Sequence, residues 1–151
     1  MKERILFVDD ERFQQKYYIS ALQDDGFEVD LETDTLNALD VLVKHHAEYC
    51  CAIIDVMMFP GPPEWADLTN NGQFTGIELC VRAKDVIQSI PILLLSNKPP
   101  GEIKMRFARD LSDVKAAIVY DVRYKIETPS EDLPRCVRTL IARFEREKRR
   151  D

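Results

Sequence analysis

Four carboxylates stand where two apolar runs end. Arg4-Ile5-Leu6-Phe7-Val8 runs into Asp9-Asp10-Glu11, and Cys50-Cys51-Ala52-Ile53-Ile54 runs into Asp55. Apolar runs of this length, rich in β-branched residues, predict strands buried on both faces of a parallel sheet. The carboxyl ends of such strands are where open α/β sheets hold their ligands. If the two strands are neighbours, the carboxylates converge at one edge. Like charges that close repel, and a divalent cation relieves the repulsion. The pattern predicts Asp55 as a nucleophile and the Asp9-Asp10 pair as the holder of Mg²⁺.

Those residues need a frame, and the rest of the chain supplies one. Strand one covers Arg4 to Val8. Phe13, Tyr17 and Ala21, with Tyr18 and Leu22 beside them, recur at helical spacing and predict helix one. Asp24-Asp25-Gly26 stops it, with Gly26 suited to a left-handed cap. Phe27 to Leu31 alternates apolar and acidic residues, as a strand near the sheet edge does. Thr33, Asp34 or Thr35 can cap helix two, whose apolar stripe is Leu36, Leu39, Leu42 and Val43. Strand three ends at Asp55. The segment 59–74 is irregular, with Phe59-Pro60-Gly61-Pro62-Pro63 and Asn70-Asn71-Gly72 as turn signals. Thr75-Gly76-Ile77-Glu78 reads as a capping box opening helix three, which buries Ile77, Cys80, Val81 and Ile87. Strand four is Ile92 to Leu95 and ends at Ser96. Lys98-Pro99-Pro100-Gly101 reads as a turn, and Ile103, Phe107 and Leu111 as a fourth helix. Ala116 to Tyr120, extendable to Tyr124, is strand five. Thr128-Pro129-Ser130 opens helix five, which buries Leu133, Val137, Leu140, Ile141 and Phe144 and frays from Glu145 onward. The alternation predicts an α/β fold: a parallel sheet with right-handed crossovers and helices on both faces.

Composition narrows the function. A chain of 151 residues suits one domain, 1–151, and 45% apolar with 32% charged residues suits a soluble globular protein. A net charge of −6 argues against nucleic acid as the main partner. The basic end at 143–151 belongs to a stretch from Arg135 to Asp151 with seven Lys or Arg against three Asp or Glu. It reads as a solvated helix end that complements the helix dipole. Cys50, Cys51, Cys80 and Cys136 have no CxxC spacing and read as buried thiols in a reducing compartment. His45 and His46 have no cysteine in register for zinc. No apolar stretch approaches the ~20 residues of a membrane span. The expected location is cytoplasmic.

At this point the residues resemble the receiver domain of two-component response regulators. The matching positions are Asp9-Asp10 after strand one, Asp55 after strand three, Ser96 after strand four and Lys125 after strand five. Each is weak alone; together, in order and each at a strand's carboxyl end, they are specific. The runs Ile5-Leu6-Phe7-Val8-Asp9-Asp10-Glu11 and Asp55-Val56-Met57-Met58 also look like the family's wording. The resemblance implies a flavodoxin-like (βα)5 three-layer sandwich, with a five-stranded parallel sheet of order 2-1-3-4-5. It implies that Asp55 is the phosphoacceptor, taking a phosphoryl group from a histidine kinase or phosphotransfer protein. Mg²⁺ would be held by Asp9, Asp10, Asp55 and the Met57 backbone carbonyl. Lys125 would pair with a phosphate oxygen and Ser96 would hydrogen-bond another. No enzymatic activity is implied beyond Mg-dependent self-phosphorylation and autodephosphorylation. Output would pass to an unknown downstream protein, with a homodimer through the face of fourth helix, fifth strand and fifth helix as one route. No membrane or nucleic-acid partner is expected.

The chain departs from that family at particular positions. Pro60 lies one residue late. The loop 59–74 is roughly a dozen residues longer than is typical, and such loops are usually functional or mobile. Ile126 replaces the proline that follows the lysine in a cis bond, which leaves Arg123 as an alternative cation. Val122 stands where an aromatic switch residue is usual, with Tyr120 or Tyr124 as substitutes, and Asn97 replaces a small residue. A degenerate receiver, working as a phosphorylation-independent interaction module, is the competing reading. An aspartyl-phosphate hydrolase is disfavoured because Asp9-Asp10-Glu11 lacks DxD spacing. A flavodoxin is disfavoured because no Ser/Thr/Gly-rich phosphate loop follows strand one.

Overall fold

A computed structural model describes residues 3–11, 13 and 15–150. The strands are β1 (Arg4–Val8), β2 (Glu28–Glu32), β3 (Cys51–Asp55), β4 (Ile92–Ser96) and β5 (Tyr120–Tyr124). The main helices are α1 (Lys16–Asp24), α2 (Thr35–His45), α3 (Thr75–Arg82), α4 (Pro100–Asp110) and α5 (Leu133–Arg149). All five strands pair in parallel, in the order β2-β1-β3-β4-β5. β3 and β4 are buried at every residue, which explains why both read as unbroken apolar runs.

Successive side chains point to opposite faces, so the strands divide their residues between two cores. Leu6, Val8, Ala52, Ile54, Ile92 and Leu94 join Ala38 and Leu42 of α2, Ile77 and Cys80 of α3, and Ile103 and Phe107 of α4. Ile5, Phe7, Cys51, Ile53, Leu93 and Leu95 join Leu22 of α1 and Leu133, Val137 and Leu140 of α5. The sheet is thus a middle layer between two helical layers. All four cysteines are buried and reduced.

Several local expectations change. α1 begins at Lys16, and it buries Leu22 with Tyr18 and Ile19 beside it, whereas Phe13 and Tyr17 face solvent at 79% and 66% exposure. It ends in a left-handed Gly26 (φ 101°), where Gly26 N donates to Gln23 O and Phe27 N to Leu22 O, both at 3.0 Å. α2 is capped by Asp34, whose Oδ1 accepts from Leu36 N at 2.9 Å and Asn37 N at 3.1 Å. Leu36 and Val43 are half exposed, so the buried face is Thr35, Ala38 and Leu42. The turn expected at Lys98–Gly101 ends early, because Pro100 needs no N–H donor and serves as the first helical residue of α4. Strand five is Tyr120–Tyr124, since Lys115–Ala117 forms a 3-10 turn that delays it. α5 does not fray at Glu145 but continues to Arg149; Arg143 donates to Tyr120 O and Lys148 to Ala117 O, tying the helix to β5 and the turn before it. Asp151 lies outside the described residues.

The expected capping box is absent. Thr75 is the first residue inside α3, and its hydroxyl donates to Met58 O at 2.8 Å. Glu78 pairs with Arg82 at 2.7 Å instead. The segment 59–74 is packed rather than loose. It contains a helical turn, Trp65–Leu68, with Trp65 and Phe74 buried and Thr69 fully enclosed. Asn70 (φ 50°), Asn71 (φ 58°) and Gly72 (φ 95°) turn the chain back toward α3. Gly72 is required, because a Cβ there would stand 2.7 Å from Met58 O.

Candidate functional site

β1 and β3 are direct neighbours, with Val8 opposite Ile54. Asp9 therefore follows one strand beside Asp55 at the end of the other. Oxygen atoms of Asp9, Asp10 and Asp55 all lie within 4.8 Å of one another. Asp9 and Asp55 are buried at 2% and 3% exposure, and Asp10 is partly exposed. The repulsion expected from spacing is thus present in the fold.

Each carboxylate is held differently. Asp9 Oδ1 accepts from Glu11 N at 2.9 Å. Asp10 Oδ2 accepts from Phe59 N at 2.7 Å, so the first residue of the inserted segment touches the acidic edge. Asp55 Oδ2 pairs with Lys125 Nζ at 3.2 Å. Asp55 Oδ1 is buried with no hydrogen-bond partner. An orphaned buried carboxylate oxygen beside two further carboxylates is a donor set that fits a hard divalent cation such as Mg²⁺. Met57, whose carbonyl the resemblance adds to that set, lies in the bend directly after β3.

The electrostatics follow from burial. Desolvation pushes the Asp55 carboxyl from 3.8 up to about 7; Lys125 pulls it down, and Asp9 and then Asp10 raise it. Asp9 is raised for the same first reason, with its Glu11 N–H bond and Lys125 opposing.

The structure brings Lys125 to Asp55 and leaves Arg123 elsewhere, paired with Asp121 at 2.8 Å. Ile126 is 78% exposed, and every peptide bond among the described residues is trans. Lys125 reaches the site because β5 ends at Tyr124, beside Ser96. Ser96 is fully buried, one residue past the Asp55–Leu95 pairing, and its Oγ accepts from Lys98 N at 2.9 Å. Val122 is buried in the core, Tyr120 stacks on Phe107 of α4 at 4.0 Å, and Tyr124 is half-buried.

Sequence reasoning missed two supports. Gly76 lies against the backbone at the end of β3: its N–H donates to Val56 O at 3.0 Å, and a Cβ would meet Val56 Cα at 2.9 Å and crowd the Asp55 carbonyl. Its place inside the apparent capping box was the available signal. Lys98 lies in a turn signal, yet its Nζ donates to Gln73 Oε1 at 2.6 Å, a contact that nothing local in the sequence announces.

No family model matches the chain. Response regulators MprA of Mycobacterium sp. strains KMS and JLS are 28% identical to it over 96 residues, 64% of this chain. That match spans 35% of the length of those relatives. Among solved structures, the CheY-like receiver domain protein of Methanospirillum hungatei JF-1 superposes with a TM-score of 0.69 at 18% identity, covering 97% of this chain and 99% of that one. The receiver domain of Francisella response regulator 1452 gives 0.64 at 20% identity, covering 94% and 98%. A two-component response regulator from Clostridium difficile gives 0.68 at 15%, covering 94% and 98%. The chain therefore shares the fold of CheY-like response-regulator receiver domains, a five-stranded parallel sheet of order 2-1-3-4-5 with helices on both faces.

Proposed function

We propose that the protein is a phosphorylatable signalling receiver, in which Asp55 accepts a phosphoryl group from a histidine kinase or phosphotransfer protein. The observation that carries this is Asp55 itself. One oxygen is paired to Lys125, and the other is buried without a partner among Asp9 and Asp10. In the transfer, an Asp55 carboxylate oxygen bonds to phosphorus while the bond from phosphorus to the donor histidine nitrogen breaks. The electron pair leaves with the imidazole, which then takes a proton. The product is an acyl phosphate. Only the ionised carboxylate is nucleophilic, so Lys125, which favours ionisation, keeps the group competent against its burial. Mg²⁺, held by Asp9, Asp10, Asp55 and the Met57 carbonyl, would offset charge on the transferring oxygens. Lys125 then pairs with one phosphoryl oxygen, and the Ser96 hydroxyl donates to another.

Self-phosphorylation and autodephosphorylation are the whole of the proposed chemistry, and output passes through protein contacts in the cytoplasm. No described helix is long and apolar enough to cross a membrane. One observation favours the degenerate alternative, a phosphorylation-independent interaction module: Phe59 N–H occupies one of the two Asp10 carboxylate oxygens. Intact mass after incubation with Mg²⁺ and acetyl phosphate separates the two. A receiver gains one phosphoryl group, lost with chelator and in Asp55→Ala; a degenerate module gains none under conditions that label an ordinary receiver.

A further inference from the structure

We infer that the inserted segment 59–74 is a moving part of the switch, coupled to the phosphorylation site through Lys98. The inference rests on the receiver reading above and extends it to an element that reading leaves idle. Lys98 grips both the site and the segment, and its Nζ also pairs with Glu102 Oε1 of α4 at 3.5 Å. Its backbone N–H donates to Ser96 Oγ at 2.9 Å, and its Nζ donates to Gln73 Oε1 at 2.6 Å. The same Nζ stands 5.0 Å from the centre of the Phe74 ring. Arg106 of α4 stands 4.5 Å from that ring and donates to Leu68 O at 2.7 Å. Two cations, one from the turn after β4 and one from α4, therefore hold the segment down.

Ser96 is the hinge of this arrangement. Its hydroxyl oxygen now satisfies Lys98 N–H. A phosphoryl group on Asp55 presents strong acceptor oxygens one residue away in the sheet register. When the Ser96 side chain turns to donate to them, Lys98 N–H loses its acceptor and the turn re-forms. The Lys98 side chain is carried with it, away from Gln73 and Phe74. The segment's own backbone bonds, such as Asn71 N to Ala66 O at 2.7 Å and Phe74 N to Thr69 O at 2.9 Å, then lose the outer clamp that keeps them closed.

Hydrogen exchange of the full chain tests this, read on a peptide spanning 65–74 before and after acetyl phosphate with Mg²⁺. Intact mass is measured on the same samples. In the wild type, exchange of the segment's slow amides should rise about tenfold on phosphorylation, the scale of one charge-assisted hydrogen bond lost. In Lys98→Met and in Gln73→Ala the segment should exchange at the faster rate already, with no further change on phosphorylation. A phosphorylated wild type with unchanged exchange at 65–74 overturns the coupling. So do variants that keep the full wild-type response. Absence of phosphoryl gain in the wild type is a different result and overturns the receiver reading itself.

Discussion

Replacing Asp55 with asparagine should make the metal-free protein more stable, although it removes the proposed nucleophile. Burial raises the Asp55 carboxyl from 3.8 to about 7. At about 1.36 kcal/mol per pH unit, keeping that group ionised above pH 7 costs the fold about 4 kcal/mol. The amide escapes that cost. The ion pair with Lys125, whose side chain is 17% exposed and can turn to water, is already counted in that figure, because it draws the Asp55 carboxyl down toward 7. The net expectation is a gain of up to about 4 kcal/mol at pH 8 without divalent cations. The sign with pH follows from proton counts. Between about pH 4 and 7 the folded wild type binds more protons at Asp55 than the unfolded chain, so its stability falls as pH rises. The advantage of Asp55→Asn should therefore be full above pH 7 and shrink toward zero near pH 4. Urea unfolding of both proteins at pH 5, 6.5 and 8, in chelator, measures it. An asparagine variant that is no more stable than the wild type at pH 8, or an advantage independent of pH, refutes the reasoning.

Adding Mg²⁺ at about 100 times its Kd should stabilise the wild type by ~2.7 kcal/mol at pH 8 by mass action, and Asp10→Ala should abolish most of that gain in a thermal shift assay. Gly76→Ala should cost ~1–3 kcal/mol in urea unfolding, because the added Cβ meets the backbone of Asp55 and Val56 rather than a side chain that can yield. It should also slow labelling by acetyl phosphate, since it displaces the strand end that carries Asp55. Asp34→Ala should cost ~1 kcal/mol of stability by loss of the α2 cap, and leave labelling of Asp55 unchanged.

The sheet was legible because its strands have only one option. Ile5 to Val8, Cys51 to Ile54 and Ile92 to Leu95 are buried on both faces, and only unbroken apolar runs satisfy that. The carboxylates at their ends then follow from parallel pairing. The edges were less legible. β5 carries Asp121 and Arg123, which pair with each other across one position, so its pattern gave way to the more apolar Ala116 to Tyr120. The faces of α1 and α2 were misread because Phe13, Tyr17, Leu36 and Val43 are apolar yet exposed; periodicity cannot tell a core stripe from an unburied one. The inserted segment defeated sequence reasoning most fully. Its order comes from Trp65 and Phe74 packing under Arg82, Lys98 and Arg106, contacts between residues far apart in the chain. The approach of Lys125 to Asp55 was legible although Ile126 follows it in place of proline, because its place depends on where β5 ends.

The central claim is that Asp55, and no other carboxylate at the acidic edge, receives the phosphoryl group. Borohydride reduces an acyl phosphate to an alcohol and leaves carboxylates intact. The protein would be labelled with acetyl phosphate and Mg²⁺, reduced, digested and sequenced by tandem mass spectrometry. The account predicts a reduced side chain at position 55 alone, absent without Mg²⁺. Reduction at Asp9 or Asp10, or at no position despite a phosphoryl gain in intact mass, would contradict it.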